Sequence, residues 1–394
     1  MSLIKKRFFI INDNIGLTHS EQLSNCLRKV YDIVKTEGLG LENVIKQTVF
    51  IKSNNNTEYK KLKYKLKNII NEFFGNTRPA VSIIGQAPEA PFLVAVEAII
   101  IFEKSDKIKI INKLYNKINY IVVEKDQYKE VVVSGLSALG KNNKTSELSE
   151  KSFKLMKSIL KKENLTFFNV IRQWNYIENI LKINKVNNIS TQNYQVFNDI
   201  RAKHYNSADF ICGFPAATGI GMNTGGVVID FYAVSTPQKI YVAPISNPKQ
   251  IDAHQYSDDV LIGSSYEASK VKNPPKFERA KLLYFNDSGL IFISGTASII
   301  GQNTKSVQNI DEQTTTTIEN IYQLISKKTL ENLNINHSKE PEFVNIRVYV
   351  KNEQDIPIVK SICKKYFKET PTLYLVSDIC RNELLVEIEG IVEI

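Results

Sequence analysis

Asn43-Val44-Ile45-Lys46-Gln47-Thr48-Val49-Phe50-Ile51-Lys52, then Thr77-Arg78-Pro79-Ala80-Val81-Ser82-Ile83 and Leu93-Val94-Ala95-Val96-Glu97-Ala98-Ile99-Ile100, decide how this chain is read. All three are dense in β-branched residues and read as strands. Between the first two lies a lysine-rich stretch, 60–67, with Leu62, Leu66, Ile69 and Ile70 at helical spacing. That pattern is a helix with a solvated basic face, and Gly75 is placed to cap its C-terminus. Upstream, 7–11 reads as a strand, and 20–37 as a helix with Leu23, Cys26, Leu27, Val30, Ile33 and Val34 on one face. Residues 1–105 therefore run strand, helix, strand, helix, two strands.

The order recurs. Over 117–235 the expected elements are strands 118–123 and 131–134, helix 149–160, strand 169–176, helix 194–205 and strand 227–232. Over 281–394 they are strands 282–285 and 290–294, helix 314–327, strand 343–350, helix 355–367, and strands 372–376 and 384–391. Strands beside helices that cover one face imply α+β units. The expected organisation is an N-terminal unit (1–110), a central unit (111–235), a loop-rich insertion lining the site (236–280) and a C-terminal unit (281–394). Three similar units suggest a pseudo-trimeric arrangement within one chain, with ligand crevices where units meet.

Composition sets the remaining bounds. The 394 residues are 43% hydrophobic and 23% charged, which fits a globular protein. No apolar run reaches the roughly 18 residues of a membrane span, and the basic start has no apolar signal core. Cys26, Cys212, Cys363 and Cys380 show no CxxC spacing. No disulfide framework or zinc site is expected, and a cytoplasmic location is. The formal charge of +10 is spread along the chain, so small anionic substrates are expected rather than nucleic acid. The glycines at 219–226 do not lead from a strand into a helix, which argues against a dinucleotide fold.

The arrangement around the opening stretches resembles the Rid family of small trimeric imine deaminases. From about residue 120 onward the chain is more specifically similar to the chorismatase family, whose members carry Rid-like folds. The motifs are Arg172-Gln173-Trp174-Asn175-Tyr176, Pro215-Ala216-Ala217-Thr218-Gly219-Ile220-Gly221, Pro275-Lys276-Phe277-Glu278-Arg279-Ala280, Ile293-Ser294-Gly295-Thr296-Ala297-Ser298, and Asp378-Ile379-Cys380-Arg381 with Val386-Glu387-Ile388-Glu389. The implied fold is α+β, in repeated Rid-like units of sheet covered by helices. Rid deaminases pair an arginine with a glutamate in the closing strand. Here Arg78 has Ala95 in the glutamate place, and Glu387 has Thr372-Leu373 in the arginine place, which argues against deamination.

The chorismatase resemblance implies cleavage of the enolpyruvyl ether of chorismate, a small dicarboxylate, to a hydroxybenzoate and pyruvate, with no cofactor and no metal. It makes Glu387 the catalytic general acid. Glu387 and Glu389 are two apart in a strand and share a face; two carboxylates on one side should raise one pKa. The resemblance assigns substrate binding to Tyr194, Arg201, Tyr256 and Arg279. Tyr194 and Arg201, seven apart, fall on one helix face. Arginine forks suit carboxylates; a surface salt bridge is the alternative for Arg201, a loop charge for Arg279, and packing for the tyrosines. Arg381, Arg172 and Lys249 are further candidates. Gly295 and Cys380, seven before Glu387, are the residues of 3-hydroxybenzoate-forming members; a buried apolar role is the alternative for Cys380. Hydrolysis to a dihydroxy-cyclohexadiene carboxylate, mixed 3- and 4-hydroxybenzoate, and a Rid-type deaminase or metabolite-binding module are the other outcomes. His254 neighbours Tyr256, His19, His204 and His337 show no metal spacing, and Trp174 reads as core. The sequence departs from the family over 257–273, which is longer here, so that Tyr266 could replace Tyr256. A chain that completes its own three-unit arrangement should be a monomer or weak homo-oligomer, with no nucleic-acid or membrane partner.

Overall fold

The computed structural model describes residues 3–13, 18–137, 144–186, 189–206, 210–235, 240–263, 272–335 and 339–394. Tyr266 and His337 lie outside the described residues. Each large sheet is built the same way. In the first, strands are ordered Lys6–Asn12, Val94–Ile101, Val44–Ile51, Ala80–Ile84. In the second, Ala216–Met222, Val170–Glu178, Val227–Val234 and Tyr128–Ser137 are extended by Ile118–Lys125 and Ile108–Tyr115. In the third, Tyr241–Ile245, Ala280–Phe285, Ser288–Ala297, Val386–Glu393, Glu342–Val350 and Thr372–Val376 end on the short Ala87–Pro88 strand. In every sheet the strand after the first helix runs parallel to the strand after the second and antiparallel to the closing strand. Parallel neighbours need a crossover, which the second helix supplies.

The helices form for local reasons. His19–Thr36 begins at Thr18, which forms a reciprocal capping box with Glu21, and buries Leu23, Cys26, Leu27, Val30 and Val34. Asn56–Phe74 is capped by Asn55 and stops at Gly75, whose φ of +53° suits glycine. Each sheet packs its helices over its own apolar core. Two further apolar clusters fill the centre, where the other faces of the sheets meet.

Several elements differ from the sequence expectation. Ile108–Tyr115 is an edge strand whose alternating lysines and isoleucines were not assigned. The glycine segment is itself a strand, Ala216–Met222. Its glycines answer close packing: a Cβ at Gly219 would lie 2.7 Å from the Tyr194 ring, and one at Gly221 2.5 Å from the Asp378 carbonyl. The stretch 236–280, expected to be loop-rich, contributes the strand Tyr241–Ile245, paired with Ala280–Phe285. The helix expected at 314–327 starts earlier, as Ile310–Leu324, because Asn309 caps it at Glu312. No described helix is long and apolar enough to cross a membrane.

A closed ring of buried ion pairs joins the sheets. Lys46 of the first sheet meets Asp230 of the second at 2.9 Å. Arg172 of the second meets Glu389 of the third at 2.8 Å. Arg347 of the third meets Glu97 of the first. The acids hold corresponding places on the three closing strands, opposite Thr48, Trp174 and Arg347. Because Arg347 itself stands opposite Glu389, it also bonds Glu389, at 2.9 Å. Removing one partner of a buried pair strands a charge, at about 3–5 kcal/mol, whereas an exposed pair contributes about 0–1 kcal/mol. Arg347→Met should therefore lower unfolding free energy in urea by about 3–5 kcal/mol, and Lys154→Met, at the exposed Lys154–Glu150 pair, by less than about 1 kcal/mol. Equal small losses would show that the ring does not hold the sheets.

Candidate active site

The site is built where the second and third sheets meet. Strand Ala216–Met222 is tied to Ser288–Ala297 by Ser294, whose hydroxyl accepts from the Ala217 amide at 2.8 Å and donates to the Glu278 carbonyl at 2.6 Å. Next to Ser294 the third sheet carries a bulge: Ile293 pairs Gly390 and Thr296 pairs Ile388, so one extra residue is accommodated. Gly295 stands in that bulge and faces the Glu387 carboxyl. A Cβ at Gly295 would sit 2.0 Å from Glu387 Oε1, so the carboxyl occupies the space that any side chain there would need.

A narrow cleft opens in front of Glu387. Its walls bring together Tyr194, Tyr256, Arg279, Gly295, Cys380 and Arg381. Tyr194 comes from helix Asn193–Tyr205 and lies over Gly219. Arg279 donates from Nη2 to the Tyr256 hydroxyl at 2.6 Å, and its Nε is buried without a partner. Arg381 donates to the Gln302 carbonyl at 2.7 Å, with its guanidinium 5.3 Å from the Tyr256 ring centre. Arg201 is not in the wall. It is bonded to Asn198 at 2.6 Å, with its guanidinium near Phe197 and near Phe277 of the wall. Arg201, Arg279 and Arg381 thus place these hydrogen bonds on amide, carbonyl and phenol oxygens rather than on carboxylates.

The two strand glutamates share a face but have opposite electrostatics. Burial pushes Glu387 up to about 8, and the Glu389 charge adds to the shift. Glu389 is buried too, but Arg347 and Arg172, with hydrogen bonds from Thr218 and Trp174, outweigh that burial and hold it below the carboxylate range. At neutral pH Glu387 carries a proton and Glu389 does not. Burial, followed by the Glu387 charge, pushes Cys380 up to about 12, so it is a thiol rather than a ready thiolate.

The other candidates are placed elsewhere. Arg172 belongs to the ion-pair ring. Lys249 lies on the surface 3.9 Å from Glu319. His254 packs against Phe214, 5.3 Å between ring centres, and leaves Nδ1 without a partner. Trp174 is buried as expected, and its Nε1 also donates to Glu389 at 2.8 Å. Arg78 bonds the Gly75 carbonyl at 2.9 Å, and Glu97 is taken by Arg347. Sequence reasoning did not assign the apolar walls: Ala217, Gly219, Leu261, Phe277, Ala297 and Ile299. Four of these lie inside the quoted motifs.

The raised Glu387 pKa has a consequence for stability. The unfolded carboxyl loses its proton near 4.5 and the folded one near 8, so between those values the native state binds more protons and stability falls as pH rises. Glu387→Gln removes that burden. Its melting temperature relative to the parent should climb between pH 5 and pH 9; a difference that stays constant across this range would mean Glu387 titrates normally.

Residues 115–233 match the family model described as "Chorismatase FkbO/Hyg5-like, N-terminal". A 3-hydroxybenzoate synthase of Streptomyces hygroscopicus is 32% identical over 240 residues, 58% of this chain and 65% of that protein. A chorismatase of Streptomyces rapamycinicus is 30% identical over 233 residues, with the same coverage of 58% and 65%. The chain thus spans slightly less than two thirds of the length of these relatives. A crystal structure of a chorismatase superposes with a TM-score of 0.66 at 20% identity, over 100% of this chain and 99% of that one, so the two share a fold. The motifs and the sequence matches make the chain similar to the chorismatases over the matched residues, and the chorismatase crystal structure shows that it shares their fold.

Proposed function

We propose that this protein converts chorismate to 3-hydroxybenzoate and pyruvate, with Glu387 as general acid. The observation that carries this reading is a carboxyl protonated at neutral pH facing a cleft walled by Arg279 and Arg381. Chorismate has two carboxylates and an acid-labile enol ether. Arg279 and Arg381 would grip the carboxylates, Tyr194 and Tyr256 would frame the ring, and Arg201, on the helix of Tyr194, would add positive charge beside the cleft. The 3-hydroxybenzoate synthase that resembles this chain supports the product assignment.

Glu387 delivers its proton to the enol methylene carbon, which becomes the methyl group of pyruvate. The neighbouring ring hydroxyl then attacks the ring carbon bearing the ether. The carbon–oxygen bond to the ether breaks, pyruvate leaves with that oxygen as its ketone, and the hydroxyl proton returns to Glu387. The resulting arene oxide opens and aromatises. Atoms balance without water, oxidant or cofactor. Cys380, as a thiol, shapes the ring-opening step rather than acting as a standing nucleophile. This is a cytoplasmic enzyme, monomeric or weakly associated.

The test is incubation of the purified protein with chorismate alone, following pyruvate and aromatic products by chromatography. Equimolar pyruvate and 3-hydroxybenzoate are expected; no turnover by folded protein would refute the reading. A general acid must be protonated, so pyruvate release should hold through neutral pH and decline as pH passes about 8. Glu387→Gln should fold and lose roughly 10²–10⁴-fold in rate; full activity in that variant would remove Glu387 from the mechanism. Cys380→Ala with Gly295→Ala should shift output toward the hydrolysed diene, because a Gly295 side chain must displace the Glu387 carboxyl. An unchanged product ratio would mean that these two positions do not control the outcome.

A further inference from the structure

Thr218 is 1% exposed and does not line the cleft, yet its hydroxyl is the junction between the ion-pair ring and the bulge beneath Glu387. It donates to Glu389 Oε2. It accepts from Arg172 Nη2 at 2.6 Å and from the Gly295 amide at 3.0 Å. A hydroxyl offers one donor and two acceptor sites, so Thr218 is saturated by these three partners. The Gly295 peptide it holds is the wall against which the Glu387 carboxyl rests.

The neighbouring interface provides a built-in comparison. Ser82 of the first sheet corresponds to Thr218: Ser82 pairs Thr48 and Thr218 pairs Trp174 in the parallel registers. The bulge at Ser134-Gly135 corresponds to that at Ser294-Gly295, since each falls where its strand shifts register on the closing strand. There the Gly135 amide donates directly to Asp230 at 2.7 Å, and Ser82 donates to the same carboxylate at 2.8 Å. The place of Glu387 is taken by Val228, opposite Tyr176 as Glu387 is opposite Tyr349. The interface without a reacting carboxyl holds its bulge by the ring acid itself. The interface with one interposes a hydroxyl.

We propose that Thr218 is a positioning residue for Glu387, holding the Gly295 peptide under the carboxyl and tying it to Glu389 and Arg172. This rests on the reading of Glu387 as the general acid. Thr218 donates nothing to substrate. It fixes the floor that the carboxyl leans on, so its loss should affect the chemical step more than binding.

The experiment compares Thr218→Val, which keeps the shape and removes the hydroxyl, with Thr218→Ser, which restores it. With chorismate as substrate, Thr218→Val should lower kcat at least tenfold while KM changes less than threefold, and Thr218→Ser should recover most of kcat. Ser82→Ala, the same loss at the other interface, should lower the melting temperature and leave kcat unchanged. A kcat loss in Ser82→Ala equal to that in Thr218→Val, or a Thr218→Val defect confined to KM, would overturn the proposal. A second readout does not need turnover: the infrared carbonyl stretch of protonated Glu387, identified by its absence in Glu387→Gln. That band should move in Thr218→Val and return in Thr218→Ser; a band unmoved by Thr218→Val would overturn the proposal. If the parent protein shows the band but releases no pyruvate, the assigned reaction fails while the positioning role stands.

Discussion

The closed ring of buried ion pairs is the constraint on which the rest of the structure depends. Lys46, Arg172 and Arg347 each reach an acid on the next sheet, so that the first sheet binds the second, the second the third, and the third the first. Such pairs are costly to bury and more costly to leave incomplete. They therefore fix which sheet faces which more strictly than the apolar clusters around them, since hydrophobic contact is non-directional. Trp174 fits this scheme: Lys46 and Arg172 approach its ring at 5.0 and 4.8 Å while its indole donates to Glu389.

Beside this ring, only one of three corresponding places carries a carboxyl. The residues two before the ring acids are Ala95, Val228 and Glu387 on the three closing strands. The first two complete the apolar centre. The third is exposed to the fixed charge of Glu389 but pairs with neither arginine of the ring. A pair of carboxylates whose environments drive their pKa values apart is the arrangement that general acid catalysis needs. The same repeated architecture thus gives apolar packing at two interfaces and a buried carboxyl with a raised pKa at one.

Much of this was legible in the sequence because it is local. The capped, amphipathic helices and the β-branched strands declare themselves within windows of ten to twenty residues. The shared face of Glu387 and Glu389 follows from strand periodicity alone. What could not be read is what lies across an interface. Nothing within the Pro215–Gly221 motif says that Thr218 meets Gly295, or that Gly219 makes room for Tyr194. The strand Ala216–Met222 was missed because its glycines argue against strand on local propensity, and the tertiary contacts that require them come from distant segments. Arg201 shares the helix Asn193–Tyr205 with Tyr194, yet it bonds Asn198 and does not line the cleft, which periodicity cannot reveal. The alternating Ile108–Tyr115 edge strand was legible by pattern and went unassigned, hidden by its lysines.

The central claim is that the cleft between the second and third sheets cleaves chorismate by proton delivery from Glu387, with the product oxygen kept within the molecule. Turnover of chorismate in ¹⁸O-enriched water tests it most directly, with mass spectrometry of the aromatic product. The account predicts 3-hydroxybenzoate whose ring oxygen is unlabelled, formed in step with pyruvate. A labelled ring oxygen, a labelled diene diol in its place, or no product from folded protein would contradict it.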